Sequence, residues 1–328
     1  MQNLVYNYIL LNIQNTLSYS TICFTLYILC VFKRGFMSTY HILYNRMSKS
    51  NTGELEAHML DEIMAGEKLK YWNVTEIDNY DDFFAEIPAD DKIIVAGGDG
   101  SLHSFINRTD NCNVPQDVYF FPAGSGNDFA RDFGKKKHCE PFDVRPYISN
   151  LPEADVDGNK HRFFNSISIG LDAQVCMEAN KLKKAGKKSV NYALLAVKCI
   201  FTKYNFCDAV VTFEDGTKQE YKDVLLAITT KGKYFGGGVK ISPNQDRNHP
   251  EEEMILIVAH GLSAFKALIV FASIVIGKHF CFKNNVVEIR GKHFEVEFSR
   301  PTPIQVDGET VDGKTGYRAY AKHTVDLK

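Results

Sequence analysis

A chain of 328 residues with 45% apolar and 24% charged side chains has room for two globular domains and is too apolar to be a disordered tail. Its 38 basic and 40 acidic residues leave a formal charge of −2, which excludes a global basic field for nucleic acid. Eight cysteines, at 23, 30, 112, 139, 176, 199, 207 and 281, form no C-x-x-C pair, which argues against a zinc site or a disulfide framework and fits a reducing cytosol.

Residues 1–32 carry no charged side chain, and the apolar stretch from Leu17 to Phe32 runs into Lys33-Arg34. Two readings fit residues 1–36. One is a membrane anchor with the basic pair facing the cytoplasm; the other is an extension ahead of a working protein that starts at Met37. From Tyr40 the pattern alternates. A strand at 40–44 leads through the polar turn Asn45–Gly53 into an amphipathic helix marked by Leu55, Met59, Leu60, Ile63 and Met64. Tyr71–Ile77 reads as a second strand and Tyr80–Ile87 as a second helix. Two buried strands follow, Lys92–Val95 and Val118–Phe121. Such alternation predicts a mostly parallel sheet covered by helices, with ligands at the carboxyl ends of its strands.

Both of these strands run into glycine-rich loops, Ala96-Gly97-Gly98-Asp99-Gly100-Ser101 and Pro122-Ala123-Gly124-Ser125-Gly126-Asn127-Asp128. Glycine lets backbone N–H groups approach an anion, and a helix starting after the loop adds unpaired amides and the positive end of its dipole. Neither loop is a Walker A or a G-x-G-x-x-G sequence, so nucleotide binding is expected by another loop design. Beyond about residue 155 short alternating strands predominate: Arg162–Ile169, Ala209–Phe213, Val224–Thr230, Met254–Val258, Val286–Arg290 and Phe294–Phe298. Helices interrupt them near 189–203 and 263–277. The boundaries expected are an α/β domain over 37–155, a β-rich domain over 156–320, and a tail at 321–328 that could return to the first domain.

The two glycine loops resemble the G-G-D-G-T and P-x-G-[TS]-x-N-D-[FL]-A-R motifs of the diacylglycerol kinase catalytic domain. Asn165–Ala173, Gly236-Gly237-Gly238 with Pro243, and Val306-Asp307-Gly308-Glu309 follow in that family's order. The resemblance spans about 38–320 and is to the soluble bacterial lipid kinases. It implies an α/β fold: a doubly wound first lobe related to NAD kinases and phosphofructokinases, an antiparallel β-rich second lobe, and an active site in the cleft between them. It also implies ATP, Mg²⁺ and a lipid hydroxyl such as that of diacylglycerol as phosphoryl acceptor. A sphingoid base or ceramide, or a nucleotide-binding module that has lost turnover, stays as an alternative.

Carried over residue by residue, the resemblance puts Asn45, Ser48 and Thr75 near the nucleotide and wraps Gly97, Gly98, Asp99, Gly100, Ser101 and Ser104 around its phosphates. Gly124, Ser125, Asn127 and Asp128 would complete that site, with Asp99 and Asp128 near the metal. Glu309, with Asp307 as second choice, would be the base for the lipid hydroxyl, although Asp-Gly is also a common hairpin turn. Arg46 stands where the family has proline. The family's Asp-Asp-Gly metal loop is replaced by Glu251-Glu252-Glu253, leaving Glu252 as candidate ligand beside the alternative of an exposed acidic loop. Expected partners are a lipid substrate at the membrane surface and no nucleic acid, with a homodimer left open. The expected location is the cytoplasmic face of the membrane. Lys181–Lys188, ahead of the apolar run Tyr192–Val197, reads either as a basic membrane contact or as a solvated loop.

Overall fold

The computed structural model describes residues 38–187, 190–248 and 253–321. The expected anchor or extension at 1–36, most of the tail at 321–328, and Glu252 therefore lie outside the described residues. Among the described residues no helix is long and apolar enough to cross a membrane.

The first lobe is built on a five-stranded sheet of order β2-β1-β3-β4-β5, comprising β1 (Thr39–Tyr44), β2 (Lys68–Asn73), β3 (Lys92–Gly97), β4 (Asp117–Pro122) and β5 (Phe142–Asp143). The first four strands pair in parallel, and β5 runs antiparallel to β4. A parallel sheet is covered on both faces, so its inner strands β3 and β4 carry nearly continuous apolar runs, while β2 at the edge does not. In β3, Ile93 and Val95 enter one core while Ile94 and Ala96 enter the other. The order 2-1-3-4 reverses direction between β1 and β3, which opens a crevice at their carboxyl ends.

The helical segments of this lobe are α1 (Ser48–Asn51), α2 (Gly53–Ala57), α3 (Leu60–Ile63), α4 (Tyr80–Ala85), α5 (Asp99–Arg108), α6 (Asp128–Asp132) and α7 (Arg145–Ile148). The single amphipathic helix expected over 55–64 is instead split into short pieces, with Leu55 and Met59 exposed. The break falls at His58–Met59, between α2 and α3. Ahead of it, α2 starts at Gly53, where a Cβ would stand 2.0 Å from the Asn45 carbonyl oxygen and the chain folds back on Asn45.

The second lobe is a ten-stranded antiparallel sheet: β6 (Glu153–Val156), β7 (Asn159–Arg162), β8 (Ser166–Gly170), β9 (Cys207–Phe213), β10 (Lys218–Val224), β11 (Leu226–Thr230), β12 (Met254–Ala259), β13 (Val286–Gly291), β14 (His293–Val306) and β15 (Glu309–Tyr320). The long strand β14 pairs with β9 through Phe294–Phe298 and with β8 through Ile304–Val306, and irregular register between the two stretches redirects it. Alternate residues divide the faces. Ile167, Ile169, Leu256 and Val258 fill the core under β9 and β14, whereas Ile228, Ile255 and Ile257 pack beneath α9 (Tyr192–Thr202) and α10 (Ala264–Val275). Helix α8 (Leu171–Lys184) leaves the end of β8 and packs along α9.

Candidate active site

The two glycine loops touch through their backbones. The amides of Ala123 and Gly124 both donate to the Gly97 carbonyl, at 2.7 and 3.1 Å. A Cβ on Gly98 would lie 2.9 Å from the Gly124 Cα, and one on Gly124 only 2.3 Å from the Gly98 Cα. Gly98 has an ordinary φ of −102°, so it is glycine for space rather than for conformation. It also caps α5. Ser101 and Leu102 donate the first bonds of that helix to the Gly98 carbonyl, so the amides of Asp99 and Gly100 precede the hydrogen-bond ladder and stay available to an anion.

Asp99 holds the second loop in place. Its carboxylate accepts the amides of Asp128 at 2.9 Å and Phe129 at 3.0 Å, acting as a remote cap on α6. Asn127, left-handed at φ 53°, turns the chain into that helix, and its Nδ2 donates to the Gly124 carbonyl at 3.0 Å.

The second lobe arrives through its glycine run. The Gly237 amide donates to Asp128 Oδ2 at 2.8 Å. Asp128 Oδ1, also buried, accepts no hydrogen bond among the described residues, and its nearest cation is Arg131 Nε at 3.8 Å. Burial, and after it the charge of Asp99, pushes the Asp128 carboxyl up to about 7. Asp99 is raised as well, chiefly by burial. Two carboxylates held this close and this dry favour an additional cation.

At the β14–β15 hairpin the balance is opposite. Asp307 and Gly308 both have positive φ, 47° and 95°, which matches the right-handed twist of a tight two-residue turn. The Asp307 side chain, fully buried, accepts the amides of Asn165 and Ser166 on Oδ1 at 2.9 Å each. On Oδ2 it accepts the Phe164 amide at 3.0 Å, and His103 Nδ1 of the first lobe lies 3.2 Å away. Burial lowers the basicity of His103, but the Asp307 hydrogen bond and the charges of Asp307 and Glu309 outweigh it, leaving the imidazole above its ordinary value. Close by, Arg247 of the second lobe pairs with Asp132 of α6 at 2.8 Å, with both side chains almost fully buried. The same guanidinium lies over the Phe129 ring and donates to the Phe164 carbonyl.

Comparison with known proteins fits this arrangement. Residues 39–148 match the model of the diacylglycerol kinase catalytic domain, and residues 165–321 match that of the YegS C-terminal NAD kinase beta sandwich-like domain. The chain belongs to the diacylglycerol kinase family. YtlR of Bacillus subtilis, named as a lipid kinase, is 27% identical over 247 residues, covering 69% of this chain and 76% of YtlR. A diacylglycerol kinase of Mycobacterium tuberculosis is 27% identical over 197 residues, 58% of this chain and 61% of that protein. A crystal structure of a diacylglycerol kinase from Bacillus anthracis superposes with a TM-score of 0.58 at 19% identity, over 87% of this chain and 93% of the other, which shows the shared two-lobe fold. Membership makes the protein a kinase of the lipid-kinase type.

Within this diacylglycerol kinase fold the expected site residues separate into groups. Asn45 follows β1 next to the end of β3, since Tyr44 pairs with Ala96. Its side chain closes a turn by accepting the Met47 amide at 2.9 Å, and Ser48 approaches Gly53 across the same turn. Thr75 is exposed on the single turn after β2. With Gly97, Gly98, Gly100, Ser101, Ser104, Gly124 and Ser125, these residues follow the carboxyl ends of the parallel strands. Asp99, Asn127 and Asp128 form the contact between the loops. Glu309 is exposed at the start of β15.

Asp307 corrects its expected role. A carboxylate already holding three amides and an imidazole is ill suited to take a lipid proton, so it is a clasp between strands and lobes. The sequence reading missed His103 and the Asp132–Arg247 pair, and quoted Asn165 within a family motif without giving it a role. The spacing of Asp99 and His103 on one helix, i to i+4, was the available signal for the first.

Proposed function

We propose that this kinase transfers the γ-phosphoryl group of ATP to the hydroxyl of diacylglycerol or a closely related lipid alcohol, with Mg²⁺ accompanying the nucleotide. The observation that carries the reading is the Asp99–Asp128 pair, wedged between two glycine loops with one buried oxygen unsatisfied. Phosphoryl transfer depends mainly on positioning and charge neutralisation, and this pair supplies the acidic half of that arrangement.

Among the described residues no three metal-ligating side chains come together. That suits Mg²⁺, which commonly takes one or two carboxylates and completes its shell with phosphate oxygens and water. Asp128 Oδ1 has the chemistry for that place, with Asp99 behind it. Bound there, the ion would offset charge on the phosphates. The protein's own groups do the rest. Amides at the start of α5, and those of Ser125 and Gly126 beyond the bonds that Ala123 and Gly124 give to Gly97, donate to phosphate oxygens. Gly237 ties the second lobe to Asp128, so the acceptor side of the cleft is aligned with the donor side. Glu309, exposed and close enough to raise the His103 pKa, is the candidate to accept the lipid proton, while Asp307 fixes the backbone that carries it. Such a base contributes about 10²–10⁴-fold.

The test is transfer from radiolabelled ATP to a panel of lipid alcohols in mixed micelles, with Mg²⁺ or with EDTA. Labelled phosphatidic acid formed only with Mg²⁺ is the expected result. Activity undiminished by EDTA, or ATP binding with no labelled lipid from any member of the panel, overturns the reading.

A further inference from the structure

Among the described residues ten large apolar side chains are exposed, and seven of them lie on α9, α10 or the residue after α10. The inner faces of both helices share one core through Ala196, Ile200, Ala267 and Ile274. Their outer faces carry Leu194 (68% exposed), Phe201 (56%), Phe265 (71%), Ile269 (46%) and Ile276 (67%). Leu194 and Phe201 are seven residues apart. Phe265, Ile269 and Ile276 follow i, i+4, i+11, so each set forms one stripe along its helix. Scattered surface apolar residues need no explanation, but a contiguous patch on two packed helices does.

Charge identifies the occupant. Residues 179–207 contain seven lysines and no Asp or Glu, and residues 254–287 contain three lysines and no Asp or Glu, in a chain whose total charge is −2. Lys184, Lys187, Lys198, Lys266 and Lys278 are all exposed. Within this region the nearby acid Glu178 is bonded to Lys181 and Lys203. An apolar stripe flanked by lysines and free of carboxylates complements a surface that is oily within and anionic at its edge. A protein partner with an ordinary mixed surface would not demand the absence of every acid.

We infer that the outer face of α9 and α10 docks on an anionic lipid bilayer, with Phe201, Phe265 and Ile276 entering the interface and the lysines contacting acidic headgroups. The docking face rests on the lipid-kinase reading for its purpose, and the experiment separates the two. The full chain carrying Phe265→Trp is mixed with phosphatidylcholine vesicles, with or without phosphatidylglycerol. The natural Trp72 lies in the first lobe, stacked on His41, and serves as background.

The emission is expected to shift to the blue, and to be quenched by brominated acyl chains, only with the anionic vesicles. Phe201→Ser with Ile276→Ser, or Lys198→Glu with Lys266→Glu, should weaken vesicle binding roughly tenfold or more. Melting temperature, and turnover of a water-soluble short-chain diacylglycerol, should not change. Docking without turnover of any lipid alcohol supports the face and overturns the substrate reading instead. Emission unmoved by vesicles overturns the face. So does emission already blue-shifted in buffer, which would mean that another part of the chain or a second copy covers it.

Discussion

Asp128 and Asp307 are buried carboxylates on opposite sides of one lobe junction, yet they are supplied very differently. Asp307 receives three backbone amides and an imidazole. Asp128 receives one amide on Oδ2 at hydrogen-bond distance and leaves Oδ1 without a bond among the described residues. A charge fully met by fixed dipoles is held by the architecture, whereas one left short at the edge of a cleft, as Asp128 is, has capacity for a ligand. Between these two acids the count of donors draws a distinction that sequence motifs do not.

The strongest attempt to break this contrast targets the base. Glu309→Gln keeps size and polarity but cannot take a proton, so turnover should fall about 10²–10⁴-fold while ATP affinity, measured by calorimetry, barely moves. If Glu309→Gln keeps most of its turnover while Asp307→Asn loses it, the clasped Asp307 is the base and the contrast fails. Asp128→Asn comes next. Removing one preorganised charge from the phosphate site should cost about 10²–10³-fold in turnover. Its melting temperature without ligand should not fall, because the asparagine oxygen still accepts the Gly237 amide while a charge disfavoured by burial is removed.

Asp307→Asn should do the reverse in stability. An amide nitrogen turned toward backbone N–H groups leaves buried donors unmet, at about 3 kcal/mol in urea unfolding. A melt matching wild type would show that Asp307 is no clasp.

The smallest effect concerns a third buried acid, Asp172, which accepts the Ser168 hydroxyl on one oxygen and has no bond on the other among the described residues. Burial pushes it up to about 6. Because the folded-state value is raised, its contribution is fully present below the ordinary carboxylate range. It is lost as pH rises through 6. Asp172→Asn should then stabilise the protein by about 2 kcal/mol at pH 8 and by much less near pH 4, read from urea melts at both.

The centre of the first lobe was legible because β3 and β4 announce themselves twice, by an apolar run and by the glycines that follow it. Its loops had to be glycine for backbone contact, and such constraints are local. The second lobe was less legible. Arg162–Ile169 reads as one strand, but Asp307, more than 140 residues away, draws the amides of Phe164, Asn165 and Ser166 toward itself and breaks it into β7 and β8. The strands β10 and β15 are largely polar and exposed, and Gly313 and Gly316 interrupt the pattern of the latter. Nothing local to Asp128 or Asp307 says which one will be given donors. That is decided by distant backbone.

Helix α6 has a consequence for how the cleft works. It is five residues long and belongs by connectivity to the first lobe, but the second lobe grips both ends: Gly237 holds Asp128, and Arg247 holds Asp132. Breaking a buried ion pair by losing one partner costs about 3–5 kcal/mol. A simple swing of one lobe away from the other is therefore resisted at this point. If nucleotide binds as proposed, the cheaper opening is a peel in which the Gly237 contact gives first while Arg247 remains the pivot.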